Sequence, residues 1–331
     1  MNVHHDSWLW INRMGNHQQE TLDKLGKVWK QIANHFKNKG DRLLFEIVNE
    51  PTGMSPYQMN LLNREMLNVI WASGGENKQR LVIVGGLEDN KNQLLHHFEI
   101  PHNKRVVLTF HYYSPWDYVS NWWGRTTWGT SKDIIEMEQD IKPVYEKYVK
   151  KGYPVIIGEY GTLKANQKHS KWLYHDIFVQ LAHKYQMITM WWDNGNDQFD
   201  RIERKWRDPV VKDIIVQAER GIKNAIIKPV DLYIKKGQQL SDQSVDIQLN
   251  GRTLTGIFRH SKPLKKSRDY TIDHDGKTVT ITEAYITKLM TESAGLGTKG
   301  QLTFTFDKGA NQVMDVILYA HPKLEKSEFT V

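Results

Sequence analysis

Two glutamates stand at the ends of largely apolar segments, where a carboxylate could do chemistry. Glu50 closes the run Phe45–Glu50 and is followed by Pro51, which cannot donate a backbone hydrogen bond and therefore stops strand pairing. Glu159 closes a second run, Pro154–Glu159. Such runs are typical of parallel strands that are covered on both faces. Two carboxylates about 5 Å apart can cleave a glycosidic bond with retention of configuration.

Further polar and aromatic side chains follow other predicted strands. His111 and Tyr113 alternate along one strand, so they share a face and can orient and polarise a glutamate. Asn49 can hold a sugar 2-hydroxyl, a contact that strengthens in the transition state. Trp192 offers a flat apolar wall to a sugar ring, and His4 follows the first strand-like segment. In a barrel, strand ends of this kind converge on one mouth.

Each of these residues also has a structural interpretation. A lone strand-end glutamate more often forms a cap or an ion pair than catalyses, and histidines such as His4 and His5 usually lie on the surface. A metal site at His4, His5 and Asp6 is disfavoured, because adjacent residues on a strand point to opposite faces. We therefore predict no metal and no cofactor.

The elements that must position these residues alternate between strand and helix. Strands are predicted at 42–49, 80–86, 105–111, 154–159 and 187–192, with helices between them and a last helix at 210–224. This alternation predicts an α/β fold with a parallel sheet. A (β/α)8 barrel typically needs about 250 residues, whereas the alternation here ends near residue 224. We therefore predict a TIM barrel that lacks strands 1 and 2 and most of strand 3.

A tryptophan-rich loop follows the strand at 105–111. Between Ser114 and Thr130 it carries four indoles and few aliphatic residues; these are Trp116, Trp122, Trp123 and Trp128. We expect at least one of them to stack against substrate further along the cleft. The alternative is a loop that folds on its own aromatic side chains.

The order of these motifs resembles glycoside hydrolase family 5, whose members are retaining (β/α)8 enzymes. The matching segments are His-His-Asp at 4–6, Asn-Glu-Pro at 49–51, His-Tyr-Tyr at 111–113, Gly-Glu-Tyr-Gly at 158–161 and Trp-Asp-Asn-Gly at 192–195. The resemblance implies that Glu50 is the acid/base and Glu159 the nucleophile. It also implies the residues of the subsite closest to the cleaved bond, which are His4, Asn49, His111, Tyr113 and Trp192.

The resemblance is cellulase-like and implies endo-hydrolysis of β-1,4-glucan. Xyloglucan, mixed-linkage glucan and mannan stay open as substrates, as does a protein that only binds carbohydrate. Family members place an arginine at the end of strand two, beside the nucleophile, and here that arginine has no counterpart. Because the missing strands would leave sheet edges and core exposed, we expect this chain as written to have little or no turnover.

The second part of the chain has a different pattern. After residues 1–225, which we assign to the barrel, residues 229–322 contain short strands typical of an immunoglobulin-like sandwich. Asn250-Gly251 and Asp275-Gly276 predict two-residue hairpin turns. This part resembles the second type of X module of bacterial cellulases. The resemblance implies either a spacer or attachment to cell wall or insoluble cellulose.

Composition narrows the class of protein further. The net charge is +7, but Lys and Arg are scattered, so we expect no nucleic-acid partner. No apolar stretch reaches about 18 residues, so we expect no membrane span. The first residues lack a basic start and an apolar core, so no signal peptide is visible. From the resemblance we expect a secreted protein, a monomer whose partner is a β-glucan polysaccharide.

Overall fold

The computed structural model describes residues 1–321, and within that range the chain forms two compact units. The first comprises Met1–Arg125, Thr130–Lys164 and Leu181–Asp197, and the second comprises Thr126–Gly129, Ala165–Gln180 and the residues from Gln198 onward. The predicted division between residues 225 and 229 stays a prediction. The predicted end of the second domain, residue 322, lies outside the described residues.

A parallel sheet is the framework of the first unit. Within the described residues it has five strands in the order β1-β2-β3-β4-β5, and each strand pairs in parallel with the next. The strands are β1 (Phe45–Glu46), β2 (Val82–Asn90), β3 (Val106–Tyr112), β4 (Val155–Tyr160) and β5 (Ile188–Trp191). The sheet is a curled half-barrel, and this confirms the predicted fold class.

Helices alternate with these strands as the apolar periodicity predicts. They are α1 (Asp6–Leu9), α2 (Gln18–Phe36), α3 (Pro56–Ala72), α4 (Lys91–His97), α5 (Trp116–Val119), α6 (Ser131–Lys147), α7 (Lys168–Lys184) and α8 (Pro209–Ala218). Local sequence explains where α3 begins. Ser55 accepts a hydrogen bond from the Gln58 N–H, the Gln58 side chain returns to the Ser55 N–H, and Pro56 occupies the first helical position.

Apolar side chains cover the central strands on both faces. On one face Ile83, Val107 and Ile156 form a buried cluster. On the other, Val84 and Leu108 are almost inaccessible to solvent. Continuous burial of this kind explains why the strands are apolar at successive positions rather than at alternate ones.

The first residues of the chain extend the sheet beyond β1. Asn2 forms a parallel bridge with Glu46, and the Glu46 N–H donates to the Met1 carbonyl at 2.9 Å. The Asn2 side-chain amide donates to the Glu46 carboxylate at 2.8 Å. The segment before His4 is therefore strand-like, as its sequence predicts, and it carries His4 along the edge of β1.

The β-rich part of the second unit contains two sheets. Their orders are β13-β14-β10-β8 and β12-β11-β15-β16-β9, antiparallel except for the parallel pair β16-β9. The strands of these two sheets are β8 (Ile226–Lys228), β9 (Asp231–Lys235), β10 (Gln243–Gln248), β11 (Leu254–Arg259), β12 (Lys262–Pro263), β13 (Tyr270–Ile272), β14 (Thr278–Ile281), β15 (Gly297–Phe306) and β16 (Gln312–Tyr319). Helix α9 (Glu283–Thr291) lies between β14 and β15 in the sequence. Before them, β6 (Phe199–Asp200) and β7 (Lys205–Trp206) pair with each other in a separate two-stranded sheet.

Alternate residues of these strands are buried, among them Val245 and Ile247 of β10 and Leu302 and Phe304 of β15. One buried face on each sheet is the pattern of a sandwich core. The prediction of an all-β sandwich is thus confirmed.

One of the two predicted hairpins is wrong. Asn250 and Gly251 do form a tight turn with positive φ of 52° and 80°, closed by the Arg252 N–H on the Leu249 carbonyl at 2.8 Å. However, β10 and β11 on either side belong to different sheets. The turn is a crossover, because the flanking strands find other partners. The second predicted hairpin does join β13 and β14, through a loop longer than two residues.

Arg80 anchors the segment that leads into β1. Its side chain is 4% exposed, and its guanidinium stacks 4.8 Å over the ring of Phe45. It donates to Asn77 Oδ1 at 2.6 Å and to a ring of backbone carbonyls, which are those of Phe36, Lys39, Gly40 and Leu43. One guanidinium therefore supplies hydrogen-bond donors to the carbonyls at the end of α2 and in the loop after it.

Replacing Arg80 with Met should destabilise the first unit by about 3 kcal/mol, because Asn77 and four backbone carbonyls lose the buried donor that they share. The measurement is urea unfolding followed by tryptophan fluorescence. Arg42→Met, at an exposed position in the same loop, is the matched control and should change stability by less than about 0.5 kcal/mol. Equal effects of the two substitutions would contradict the anchoring role.

Candidate active site

The register of the sheet brings the predicted residues to one end. His111 of β3 lies opposite Glu159 of β4, and Tyr160 lies opposite Trp191 of β5. Glu50 follows β1 at the same end, with a positive φ of 43° that turns the chain out of the strand. The carboxyl ends of five neighbouring strands thus meet, which is where parallel-sheet enzymes place their chemistry.

The two glutamates share one imidazole. His111 Nδ1 donates to Glu50 Oε1 at 2.7 Å and lies 3.6 Å from Glu159 Oε2. The Tyr113 hydroxyl donates to the same Glu159 oxygen at 2.9 Å. The ligand atoms of Glu50, His111 and Glu159 all lie within 4.8 Å of one another. The carboxylates are therefore near the separation of about 5 Å found in retaining glycosidases, well short of the inverting range.

A glycine makes room for this arrangement. A Cβ atom on Gly158 would lie 3.1 Å from the His111 ring and 2.7 Å from Thr109 Oγ1. Any side chain at position 158 would therefore push against Thr109 and the imidazole. Gly158 precedes Glu159 directly, so the strand that supplies the second carboxylate also clears the space for His111.

Burial and charge act in opposite directions on Glu159. Burial raises the pKa of its carboxyl, while the positive charge of His111 and the hydrogen bond from Tyr113 lower it, and the net shift is upward. Burial raises the pKa of Tyr113, as does the adjacent Glu159 carboxylate, so this side chain stays a neutral hydrogen-bond donor.

His111 is the cation of the site. Burial alone would lower its pKa, but the hydrogen bond to Glu50 and the charges of Asp89 and Glu159 outweigh that effect and raise the pKa to about 9. With both ring nitrogens protonated, His111 can donate to carboxylates on two sides.

The remaining predicted residues of the subsite lie at the same end of the sheet. Asn49 precedes Glu50 and is buried. His4 is half-buried against Trp8, and burial together with the neighbouring His5 lowers its pKa. Trp192 stands edge-on to Tyr113, with ring centroids 6.4 Å apart, and is 40% exposed, so part of this side chain is accessible to a ligand.

The four loop tryptophans divide into two groups. Trp116, Trp122 and Trp123 form a chain of ring contacts with centroids 5.6 to 6.3 Å apart, and all three are exposed. Trp123 is 84% exposed and has a positive φ of 58°. Trp128 is buried against Tyr174 in the second unit and packs as a core residue. The exposed three are the ones that could form a stacking surface.

Asp89 is an acidic residue at the site that the sequence interpretation missed. Asp89 is fully buried at the end of β2, and its Oδ2 accepts a hydrogen bond from the Glu50 N–H at 2.7 Å and lies 3.8 Å from His111 Nε2. The signal that could have found it is the acidic pair Glu88-Asp89 directly after the apolar run of β2.

The same three side chains are close enough to share a cation. However, His111 Nδ1 already donates to Glu50, and the Tyr113 hydroxyl donates to Glu159. These hydrogen bonds account for the cluster, and we assign no metal to it. Within residues 1–321, no helix is both long and apolar enough to cross a membrane.

A curled parallel sheet with paired glutamates at its carboxyl end defines a glycoside hydrolase with a TIM-barrel-like fold. The family model for cellulases of glycosyl hydrolase family 5 matches residues 1–198, and the chain belongs to that family. The model for carbohydrate binding domain X2 matches residues 227–316.

Several relatives carry both parts. Endoglucanase B of Paenibacillus lautus is 33% identical over 352 residues, covering 100% of this chain and 61% of the relative. A crystal structure of a tri-modular GH5 subfamily 4 endo-β-1,4-glucanase from Bacillus licheniformis, complexed with cellotetraose, is 74% identical with a TM-score of 0.95. It covers 98% of this chain and 63% of that protein.

A more distant structure is similar along nearly the same length. The tri-modular endo-β-1,4-glucanase Cel5B of Bacillus halodurans has a TM-score of 0.85 at 27% identity, covering 96% of this chain and 62% of that one. This chain therefore spans a little over three fifths of the length of each of these relatives.

Replacing Tyr113 with Phe should raise the pKa of the Glu159 carboxyl. The hydroxyl hydrogen bond stabilises the ionised carboxylate, so its loss favours the protonated form, by about 1 pH unit. Carbon-13 NMR titration of the glutamate carboxyls measures the shift. Tyr112→Phe is the control, because that hydroxyl donates to Asp140 instead. An unchanged or lower pKa of Glu159 in Tyr113→Phe would rule out the assigned contact.

Proposed function

We propose that this chain carries the catalytic pair of an endo-β-1,4-glucanase that acts by double displacement. The observation that carries the proposal is the pair Glu50 and Glu159, with carboxylate oxygens within 4.8 Å and His111 between them. The named activities of the relatives from Paenibacillus lautus and Bacillus licheniformis support the same substrate class.

Glu50 is the proton donor in this proposal. Its side chain is 32% exposed against 14% for Glu159, so it is the carboxyl that a leaving alcohol and later a water molecule can reach. Because Oε1 accepts a hydrogen bond from His111, the acid proton belongs on Oε2. Glu50 then protonates the glycosidic oxygen and, after the sugar alcohol departs, removes a proton from the attacking water.

Glu159 is the nucleophile. Tyr113 and His111 both act on its Oε2, which holds the carboxylate and leaves Oε1 to attack the anomeric carbon. The attack forms a covalent glycosyl ester, and water releases the sugar with its original configuration. Burial raises the pKa of this carboxyl, and the two donors favour its ionised form and oppose that rise.

Exposed indoles supply the sugar platform. Trp192 lies beside Tyr113, and the exposed group Trp116, Trp122 and Trp123 lies on the loop after β3. Aromatic faces suit the apolar faces of β-linked pyranose rings and give affinity along a chain of sugars. Contacts spread over several rings favour cleavage inside a polymer.

A second substrate has a specific observation in its favour. A family 5 xyloglucanase from Paenibacillus pabuli is structurally similar, with a TM-score of 0.59 at 28% identity over 66% of this chain. Branched xyloglucan is therefore the competing substrate. Comparing release of reducing ends from carboxymethyl cellulose, xyloglucan, mixed-linkage glucan and mannan decides among them.

For the second domain we propose attachment to polysaccharide or a spacer role, supported by the match to carbohydrate binding domain X2. A pull-down on insoluble cellulose with and without this domain separates the two.

We also propose a secreted monomer. Resemblance to extracellular cellulases supports the location, and light scattering tests the mass.

Substitution of Glu159 by Gln should abolish covalent trapping and turnover. A 2-deoxy-2-fluoro cellobioside with a good leaving group should label Glu159 in the native chain, since attack proceeds while release of the ester is slow. Mass spectrometry of peptides measures the label, and this measurement does not depend on rapid turnover.

Glu50→Gln is the matched variant and should still be labelled, because an activated leaving group needs no acid, while turnover of cellulose derivatives falls by about 100-fold or more. Glu88→Gln, an exposed carboxylate, should behave like the native chain. Labelling of a residue other than Glu159 would overturn the mechanism. Cello-oligosaccharide binding without any labelling would favour a protein that only binds carbohydrate.

A further inference from the structure

The buried carboxylate of Asp89 is hydrogen-bonded to the Glu50 backbone and lies close to the His111 ring. Its side chain is 1% exposed. Oδ2 accepts a hydrogen bond from the Glu50 N–H at 2.7 Å and lies 3.8 Å from His111 Nε2, the ring nitrogen that points away from Glu50. A carboxylate buried this deeply is costly unless its partners stabilise it.

The backbone of Glu50 needs such a partner. Its φ of 43° lies in the left-handed region, where a residue other than glycine is strained. Such a conformation persists when surrounding contacts determine it. The hydrogen bond from its N–H to Asp89 is one of those contacts, and it sets the direction in which the Glu50 side chain leaves the strand.

The end of β2 is built to deliver Asp89 to this point. The register of β2 against β3 shifts between Gly85 and Asn90, and both Glu88 and Asp89 have positive φ, of 61° and 45°. A bulge of this kind re-aims a side chain. A Cβ atom on Gly85 would lie 2.1 Å from Asp89 Oδ1, so the glycine leaves the space that the carboxylate occupies.

We propose that Asp89 is a positioning residue for the Glu50–His111 pair. It holds the Glu50 backbone by a hydrogen bond and attracts the second N–H of the His111 imidazolium, so that the first N–H stays on Glu50 Oε1. This role rests on the proposed function in one respect: it matters for catalysis because Glu50 is the proton donor.

The charges around His111 predict the sign of the effect. The groups that face its ring are the carboxylates of Glu46, Glu50, Asp89 and Glu159, the imidazole of His4 and, on the same Glu159 oxygen, the hydroxyl of Tyr113. Burial raises the pKa of Asp89 to about 7, although the charge of His111 lowers it. Above that pH Asp89 is ionised, and it favours the protonated form of His111.

The test is a nitrogen-15 NMR titration of histidine side chains in the whole chain. His111→Gln identifies the His111 signals. In Asp89→Asn the pKa of His111 should fall by about 1 unit or more, since one of its neighbouring carboxylates has lost its charge. Gly85→Ala should also lower the pKa of His111, because the added methyl group displaces the Asp89 carboxylate. Asp140→Asn is the control, because Asp140 is bonded to Lys91 and Tyr112, and should leave it unchanged.

The outcomes are distinct. A His111 pKa in Asp89→Asn that stays within about 0.3 unit of the native value would overturn the proposal, as that is far below the effect of a nearby charge. A native His111 whose Nε2 carries no proton at pH 7 would overturn it as well, whether or not the variants fold. Thermal unfolding of each variant reports folding.

Kinetics give an independent readout. Asp89→Asn should lower kcat by about tenfold or more with KM nearly unchanged, because the proton donor is misplaced while the sugar contacts remain. A native chain in which Glu159 is not labelled by the 2-deoxy-2-fluoro cellobioside would refute the proposed function and leave the NMR result standing. Unchanged kcat in Asp89→Asn would overturn the positioning role itself.

Discussion

The charge on one buried imidazole holds the candidate site together. His111 lies among four carboxylates, from Glu46, Glu50, Asp89 and Glu159, and like charges at such distances oppose one another's ionisation. A cation among them offsets part of that repulsion. Without His111, repulsion between the neighbouring carboxylates would favour protonation of one or more of them.

The fold provides this balance through space left at two glycines. Gly158 clears room for the His111 ring, and Gly85 clears room for the Asp89 carboxylate. Gly158 lies on β4 and Gly85 on β2, the two strands that flank β3. A residue with a Cβ atom at either position would prevent this close approach of the backbone to the neighbouring side chain.

Sequence reasoning predicted which residues lie together where chemistry and local pattern coincide. Glu50, His111 and Glu159 end apolar strands, and parallel register then brings strand ends together whatever the details of packing. It failed where tertiary pairing decides. The Asn250-Gly251 turn has the predicted backbone, yet its strands join different sheets. Trp128 looks like its neighbours in sequence, but Tyr174 buries it.

Asp89 marks the same limit inside the site. In a regular strand, counting alternate residues from Val82 would predict which face of the sheet carries the side chain of residue 89. The register of β2 shifts between Gly85 and Asn90, however, so the alternation cannot be followed across the bulge. The side chain then enters the interior, where an aspartate is rarely expected. An acidic residue just past a glycine-containing strand end is therefore best treated as a candidate for the interior when the neighbouring strand supplies a histidine, because a buried carboxylate and a buried imidazole stabilise each other's charged forms.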